Sequence, residues 1–271
     1  MNKLKRSLIK AIFILLVFLA LFGLFSKRFK QPIGEFPSSG SDKKNGIVVI
    51  VYDGDTVKVR FRDGSLRKVR LIGVNAPETQ DEREEVRFRA LISKRFTFYH
   101  MYNKEISLTY DWQPEDKYNR LLAYVWIDEC LFNDFIIREG FAFVFLKFTF
   151  RKDYQEKFKK SEDFARINRR GFWEEENLHQ INFKEAREHL GELISIEYKC
   201  SSLKNKRQFL FLNSANEEFA ALIPLENISH FPDSNSYLNK DLLVTGFLEE
   251  FKGQPQIVVY LPSQVKIIKR D

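Results

Sequence analysis

Residues 56–74 read TVKVRFRDGSLRKVRLIGV, and the pattern of these residues predicts the first structural unit of the chain. Apolar and basic residues alternate over Thr56–Phe61, which is the period of a half-buried strand. The pair Asp63-Gly64 tolerates the positive φ of a tight turn, and Leu66–Val74 is predicted to return as the partner strand. The stretch therefore predicts a β-hairpin that is buried on one face.

More strands and helices are predicted on either side of this hairpin. Strands are expected at Ile47–Val51, Ile106–Tyr110 and Leu121–Ile127, and helices at about Glu82–Tyr102, before Gly140 and near Asp153–Arg169. From residue 180 onward the pattern is mostly alternating strands, with a hairpin turn at Lys252-Gly253. The chain is therefore predicted to be mainly β with helices, an α+β protein in two blocks.

The net charge of +7 comes from the start of the chain. Residues 1–30 hold seven basic groups and no acidic one, so the charges of the remaining residues sum to zero. Any anion-binding surface must therefore be argued from particular residues and not from bulk charge. The two cysteines, Cys130 and Cys200, form no C-x-x-C pair, which excludes a disulfide scaffold and a thiolate zinc site.

Residues 1–30 have the layout of an export signal or a signal anchor. A basic start precedes the apolar run Ala11–Phe25, and Lys27-Arg28 follows it. The run reaches only about 22 Å against about 30 Å of hydrocarbon, and it lacks small-x-small cleavage sites. An uncleaved anchor through residues 8–26, with the rest of the chain exported, is slightly favoured over a cleaved signal and a secreted protein. Residues 31–45 are rich in Pro, Gly and Ser and are predicted to be a flexible linker.

Three charged segments follow one another where the predicted strands end: Asp53–Thr56, Arg70–Glu78 and Asp116–Arg120. With Leu122–Tyr124, Asn133 and Arg138–Ala142, they resemble the staphylococcal nuclease-like (thermonuclease) family from about Gly46 to Trp173. The resemblance implies an OB-type five-stranded β-barrel with three helices over residues 46–178. It also implies a nuclease that cuts DNA and RNA with little sequence preference, acts best on unpaired strands and leaves 3′-phosphate ends.

The residues of these segments suit phosphodiester hydrolysis, which needs positive charge on the phosphoryl oxygens, an aligned water and a base. By resemblance, Asp55, Asn75 and the Ala76 carbonyl are the calcium ligands, and Asp53 lies behind them. Glu78 matches the carboxylate that orients or deprotonates the water.

Four further charged or aromatic positions complete the resemblance. Arg70 and Arg120 match the two guanidinium groups that contact the phosphate. Lys117 and Tyr118 match residues that lie along the bound nucleotide. Each residue taken singly has an ordinary explanation, such as a turn aspartate or a solvated arginine, but the set in register favours the site.

Asn75 departs from the family pattern, which has a second carboxylate there. The amide keeps an oxygen but removes a unit charge, so we expect one weakly bound Ca²⁺. The competing hypothesis is a catalytically weak or inactive nucleic-acid-binding protein that uses the same residues as a cradle for phosphate and base.

Residues 179–271 resemble OB-fold modules of the single-strand-binding and tRNA-anticodon-binding kind. The segments that carry this resemblance are Leu242–Gly246, Lys252–Ile257 and Pro262–Val265. The block is nearly neutral and so lacks a broad basic groove. Nucleic-acid binding and a structural or protein-docking role both remain open for this second small OB-fold-like barrel.

Overall fold

Alternating side chains and tight turns build a set of short strands in the first half of the chain. The structure, a computed structural model, describes residues 44–173 and 178–269. The first half contains β1 (Lys44–Val51), β2 (Thr56–Phe61), β3 (Leu66–Leu71), β4 (Val74–Asn75), α1 (Glu84–Met101), β5 (Glu105–Thr109), β6 (Leu121–Ile127), β7 (Cys130–Leu131), α2 (Phe132–Arg138), β8 (Phe143–Val144) and α3 (Lys152–Ile167).

The predicted hairpin is present as β2 and β3, with one correction at its end. Gly64 adopts φ +81° in the turn, as the Asp63-Gly64 pair predicts. The partner strand ends at Leu71 and not at Val74, because Gly73 adopts φ +73° and turns the chain. Val74 and Asn75 form the separate strand β4, which pairs with β8.

Five strands close into a barrel, here called the N-terminal barrel. They follow the order β3-β2-β1-β5-β6, and β6 pairs in parallel with β3 to complete the circle. The strand β1 begins at Lys44, two residues before the expected start of the folded part, because Lys44 and Asn45 pair with Leu108 and Ser107 of β5. The expected five-stranded barrel with helices is confirmed.

The three predicted helices are all present among the described residues, each within a few residues of its expected bounds. The core of the N-terminal barrel lies between its strands and these helices, around fully buried residues such as Phe96, Phe132 and Phe158. Asn133 of α2 is also fully buried and satisfies three backbone groups: its Nδ2 donates to the carbonyls of Ile72 and Ala123, and its Oδ1 accepts from the Val125 N–H.

The second half is a mostly β structure, here called the C-terminal sheet. Its strands are β9 (Gln180–Asn182), β10 (Leu193–Lys199), β11 (Ser202–Lys206), β12 (Phe209–Asn213), β13 (Ala220–Pro224), β14 (Asp241–Phe251), β15 (Gln254–Val258) and β16 (Val265–Ile267). The order is β11-β12-β13-β15-β14-β10-β9, with β16 beside β14. The predicted turn at Lys252-Gly253 joins β14 to β15, with φ +52° and +82°.

The two halves share part of one core. Leu193 of β10 and Phe247 of β14 belong to the apolar cluster of the N-terminal barrel. The Phe247 ring lies 5.6 Å from Phe96 and 5.7 Å from Tyr99 and Phe141, measured between ring centroids. The predicted domain boundary between residues 178 and 179 therefore stays a prediction. In the structure, the two halves pack as one compact unit.

The predicted leader, with its membrane segment at residues 8–26, lies outside the described residues, as does most of the predicted linker. Within residues 44–173 and 178–269, no helix combines the length and the apolar character needed to cross a membrane.

Candidate functional site

The carboxylate of Asp55 brings three of the predicted site residues together. Asp55 lies in the turn between β1 and β2 and is only 5% exposed. Its Oδ2 accepts a hydrogen bond from the Ala76 N–H at 2.7 Å and lies 2.7 Å from Nη1 of Arg70. Its Oδ1 accepts from the Thr56 hydroxyl at 2.9 Å. The start of β2, the end of β3 and the segment after β4 thus meet at one carboxylate.

The electrostatics of this carboxylate are unusual for an aspartate. Burial raises the pKa of the Asp55 carboxyl to about 7, and the Arg70 guanidinium opposes that rise. Nη1 of Arg70 is buried and has no hydrogen-bond partner among the described residues, although it lies at ion-pair distance from Asp55. Because Nη1 of Arg70 makes no aligned hydrogen bond to Asp55, N–H groups of this guanidinium remain available to donate to a second anion.

The turn that carries Asp55 is fixed from two sides. Oδ1 of Asp53 accepts from the Asp55 N–H at 3.0 Å, which closes the turn locally. Thr97 of α1 donates its hydroxyl to the Gly54 carbonyl at 2.7 Å. A Cβ at Gly54 would lie 1.8 Å from Oγ of Ser93, so only glycine allows the helix to approach this closely.

Sequence reasoning missed Ser93 and Thr97 as supports of the site. Both are fully buried, and they are four residues apart on α1, so they lie on the same face of the helix. Two hydroxyl-bearing residues four positions apart on an apolar helix face are the sequence pattern that could have predicted these supports.

A second loop presents Arg120 beside β3. Because β6 runs parallel to β3 and pairs Leu121 with Val69, Arg120 lies just before the start of β6, next to the strand that carries Arg70. Asp116 holds it, accepting from the Arg120 Nε at 2.8 Å and from its N–H at 3.0 Å. Asp116 was given no role in the sequence analysis. An aspartate at the start of a polar turn is the pattern that could have identified it.

The same loop exposes an aromatic ring. Tyr118 is 66% exposed, and its N–H donates to Oδ1 of Asp116 at 2.9 Å. Nζ of Lys117 lies 5.0 Å from the ring centroid, and the Arg120 guanidinium lies 5.5 Å from it. A ring flanked by two cations suits a nucleotide, with its base or sugar against the ring and its phosphate near the charges.

Asn75 and Glu78 lie on the segment that leaves β3. Asn75 is half-buried on β4, where it pairs with Phe143 of β8. Glu78 is exposed on the loop between β4 and α1, and its carboxylate forms no ion pair with any described residue. The structure therefore places Glu78 on the loop between β4 and α1 and shows no contact of its carboxylate with Asp55 or Arg70.

The segment after β8 carries exposed apolar side chains. Leu146 is 43% exposed and Phe148 is 68% exposed, whereas Phe141 and Phe150 are buried. Phe141 and Phe150 therefore belong to the core, whereas the Phe148 ring lies at the surface.

The donor set fits a hard divalent cation of the oxygen-preferring kind. Of the predicted ligands, Asp55 carries one carboxylate, and Asn75 and Ala76 carry neutral oxygens. The Ala76 group that contacts Asp55 is its N–H. Within the described parts of the chain, no three His, Cys, Asp or Glu side chains are grouped so that they could hold a metal ion. A cation here would therefore depend on neutral ligands and water besides the Asp55 carboxylate.

Comparisons with known proteins find a matching family model and similar sequences. The model of the family described as "Staphylococcal nuclease homologue" matches residues 68–175. "Thermonuclease" of Staphylococcus hyicus is 32% identical over 163 residues, which are 59% of this chain and 95% of that protein.

Two further relatives match shorter stretches of the chain. "Thermonuclease" of Staphylococcus intermedius is 39% identical over 111 residues, 40% of this chain and 66% of that protein. The "SPbeta prophage-derived endonuclease YokF" of Bacillus subtilis is 33% identical over 129 residues, 45% of this chain and 41% of that protein.

Proposed function

Because the chain belongs to the staphylococcal nuclease homologue family and is a nuclease, we propose that it hydrolyses phosphodiester bonds of both DNA and RNA in a Ca²⁺-dependent reaction. It has little sequence specificity, prefers single strands and leaves 3′-phosphate ends. The observation that carries this proposal is the meeting of Asp55, Arg70 and Ala76 beside the loop that presents Arg120.

The roles of the residues follow from their chemistry. Arg70 and Arg120 bind the phosphoryl oxygens of the scissile phosphate and stabilise the negative charge that develops there. Glu78 is exposed to solvent and orients the attacking water and takes its proton. Tyr118 and Lys117 lie along the nucleotide next to that phosphate.

Asp55, with the Asn75 amide oxygen and the Ala76 carbonyl, would hold the Ca²⁺ ion. When bound, the ion supplies a Lewis acid that neutralises phosphoryl charge and draws water to the site. Asp53 acts through Asp55 by fixing its turn, as their hydrogen bond of 3.0 Å indicates. Because Asn75 is neutral, we expect an affinity in the range of extracellular calcium modules, about 10⁻⁴ to 10⁻³ M.

Weak calcium binding is consistent with the proposed export of the protein. The leader of residues 1–30 would place the nuclease outside the cytoplasm, anchored in the membrane or secreted. Extracellular calcium concentrations fill sites of this affinity, whereas cytosolic concentrations leave them empty. The cell's own nucleic acids would thereby be spared.

Digestion of fluorescent single-stranded DNA and RNA oligonucleotides in millimolar Ca²⁺, and then in EDTA, tests the function. We expect cleavage with calcium and none with the chelator. Glu78→Gln should lower kcat far more than it raises KM, because the carboxylate acts mainly on the transition state. Glu82→Gln is a matched control, since Glu82 is exposed on the same loop and has no proposed role.

The competing function, a nucleic-acid-binding protein with a disabled site, predicts a different result. Oligonucleotides would bind with equal affinity in calcium and in EDTA and would stay intact in both. That outcome, with a folded protein, would overturn the catalytic proposal.

A further inference from the structure

We propose that a row of cations on the outer face of the β2–β3 hairpin binds the backbone of a single-stranded polynucleotide beyond the phosphate that is cleaved. The row consists of Lys58, Arg60 and Lys68 and is called the basic row. The proposal rests on the proposed nuclease function and adds a binding surface to the Asp55–Arg70 site.

The strand register places these residues on one face. Thr56 pairs with Arg70 and Lys58 pairs with Lys68 across the hairpin. Successive side chains of a strand point to opposite faces, so the basic row shares the outer face with Arg70. The opposite face is the barrel core, in which Val57, Val59 and Val69 are fully buried.

The basic row is not neutralised by the described parts of the protein. The Asp and Glu side chains that form ion pairs within residues 44–173 and 178–269 pair with other cations. On the same hairpin, Arg62 pairs with Glu105 at 3.5 Å and Arg67 pairs with Glu115 at 2.8 Å.

The facing lysines carry the main argument. Lys58 and Lys68 lie directly opposite each other, and like charges in such a pair destabilise a sheet. Arg62 and Arg67 of the same hairpin have carboxylate partners, whereas these two lysines have none among the described residues. A polyanion that lies across the face offsets the repulsion, and release of its counterions favours binding.

Apolar and aromatic side chains lie among these cations. The Lys68 ammonium lies 4.8 Å from the ring centroid of Tyr52, which is half-buried. Ile50, which pairs with Lys58, is 42% exposed, and Leu66, which pairs with Arg60, is 50% exposed. Cations interleaved with rings and exposed apolar groups suit a single strand, whose phosphates meet the charges while its bases lie on the apolar atoms.

The extent of the row favours a polynucleotide over a small anion. From Arg70 to Leu66 the strand rises about 13 Å, which is longer than one phosphate group. The row lies beside the proposed phosphate contact Arg70, so one continuous backbone can occupy both. A strand bound this way would reach several nucleotides beyond the cleaved bond.

Cleavage of a long single strand and of a dinucleotide by the full chain tests the proposal. In the triple variant Lys58→Gln, Arg60→Gln and Lys68→Gln, we expect KM for the long strand to rise about tenfold or more. The loss on the dinucleotide should be much smaller. Binding of the long strand in chelator is followed by fluorescence anisotropy at several salt concentrations. The slope of log affinity against log salt should become less negative by about 2 in the triple variant, because each of the three lost phosphate contacts contributes about 0.7.

A charge-matched control separates this surface from bulk electrostatics. The triple variant Arg62→Gln, Arg187→Gln and Lys204→Gln loses the same charge at residues that pair with Glu105, Glu250 and Glu217. We expect its KM and its salt dependence to match the wild type. Melting temperatures check the fold, and loss of the lysine repulsion should leave that of the basic-row variant unchanged or raised.

The alternative results are distinguishable. If the wild type cleaves both substrates and the basic-row variant keeps the same length preference and salt dependence, the basic row is not a binding surface. If the variant instead loses affinity only for anionic lipid vesicles, the surface belongs to a membrane and the proposal is wrong. If the wild type cleaves nothing, the proposed function fails, and the anisotropy measurement in chelator still decides the basic row.

Discussion

Arg95 of α1 and Glu249 of β14 form a buried ion pair that joins the N-terminal barrel to the C-terminal sheet. Their side chains are 14% and 3% exposed, and Nε of Arg95 donates to Oε2 of Glu249 at 2.6 Å. Nη2 of Arg95 makes a second contact, to Oε1. Gln256 also donates to Oε1 at 2.6 Å, so the carboxylate is fully engaged. Buried charges of this kind are strongly coupled to their partners.

Removal of one partner should therefore be costly. We expect Glu249→Ala to lower the free energy of unfolding by about 3–5 kcal/mol, because it leaves the Arg95 guanidinium buried and unpaired. Urea unfolding followed by circular dichroism measures this change. Glu250→Ala is the matched control, since Glu250 pairs with Arg187 near the surface, and we expect less than about 1 kcal/mol. Equal effects of the two variants would show that the buried pair does not join the halves.

Phe247 allows a similar test of the shared core. Phe247→Ala should lower the free energy of unfolding by about 3–5 kcal/mol, because its ring is 1% exposed and contacts aromatic rings of the N-terminal barrel. Phe251→Ala changes the same residue type on the same strand, and Phe251 is 51% exposed. We expect that control to cost about 0.5 kcal/mol or less. Thermal unfolding of both variants gives the comparison, and a small effect at Phe247 would contradict the shared core.

Asn75→Asp should strengthen calcium binding. The change adds a unit charge at a proposed ligand, and about 1.4 kcal/mol of added interaction is worth a factor of ten in affinity. Calorimetric titration of Ca²⁺ measures the affinity directly, and cleavage rate against free Ca²⁺ measures it indirectly. The proposal would be wrong if the wild type already saturates at micromolar calcium, or if the variant leaves the midpoint unmoved.

His100 should make the fold sensitive to acid. Burial lowers the pKa of its imidazole from 6.5 to about 3, with a smaller contribution from Lys104. Between these values the unfolded chain binds a proton that the folded chain does not. The free energy of unfolding therefore falls as pH drops through this window, by about 1.4 kcal/mol per pH unit.

Urea unfolding at several pH values checks the expectation for His100. His100→Gln removes the titrating group, so the stability of the variant should fall less steeply with acid than that of the wild type. The exposed His230 provides the control, and His230→Gln should leave the slope as it is. An unchanged slope for His100→Gln would show that other groups set the acid sensitivity.

Local patterns predicted most of the N-terminal barrel because they act over short stretches. Alternation predicted Thr56–Phe61, and the apolar run Leu121–Ile127 was also predicted as a strand, both with their observed bounds. Helical periodicity predicted the first and third helices. The end of β3 was wrong, since the positive φ of Gly73 depends on tertiary packing.

The residues of the candidate site could be named for a different reason. Asp55, Arg70 and Ala76 lie in recognisable motifs, and the structure brings them into contact. Thr97 and Asp116 were missed because their partners follow from how a helix and a loop approach the site. The Arg95–Glu249 ion pair could not be predicted from local sequence patterns, since its two residues are 154 positions apart in the chain.

The position of Phe247 also sets an order of events during synthesis of the chain. Its partner Phe141 precedes it by 106 residues, so a ribosome adding about 5–20 residues per second makes the two rings about 5–20 s apart. During that interval the aromatic cluster around Phe96 lacks its covering side chain and presents an apolar surface. The nascent N-terminal barrel is then exposed to aggregation, and its core closes only when β14 arrives.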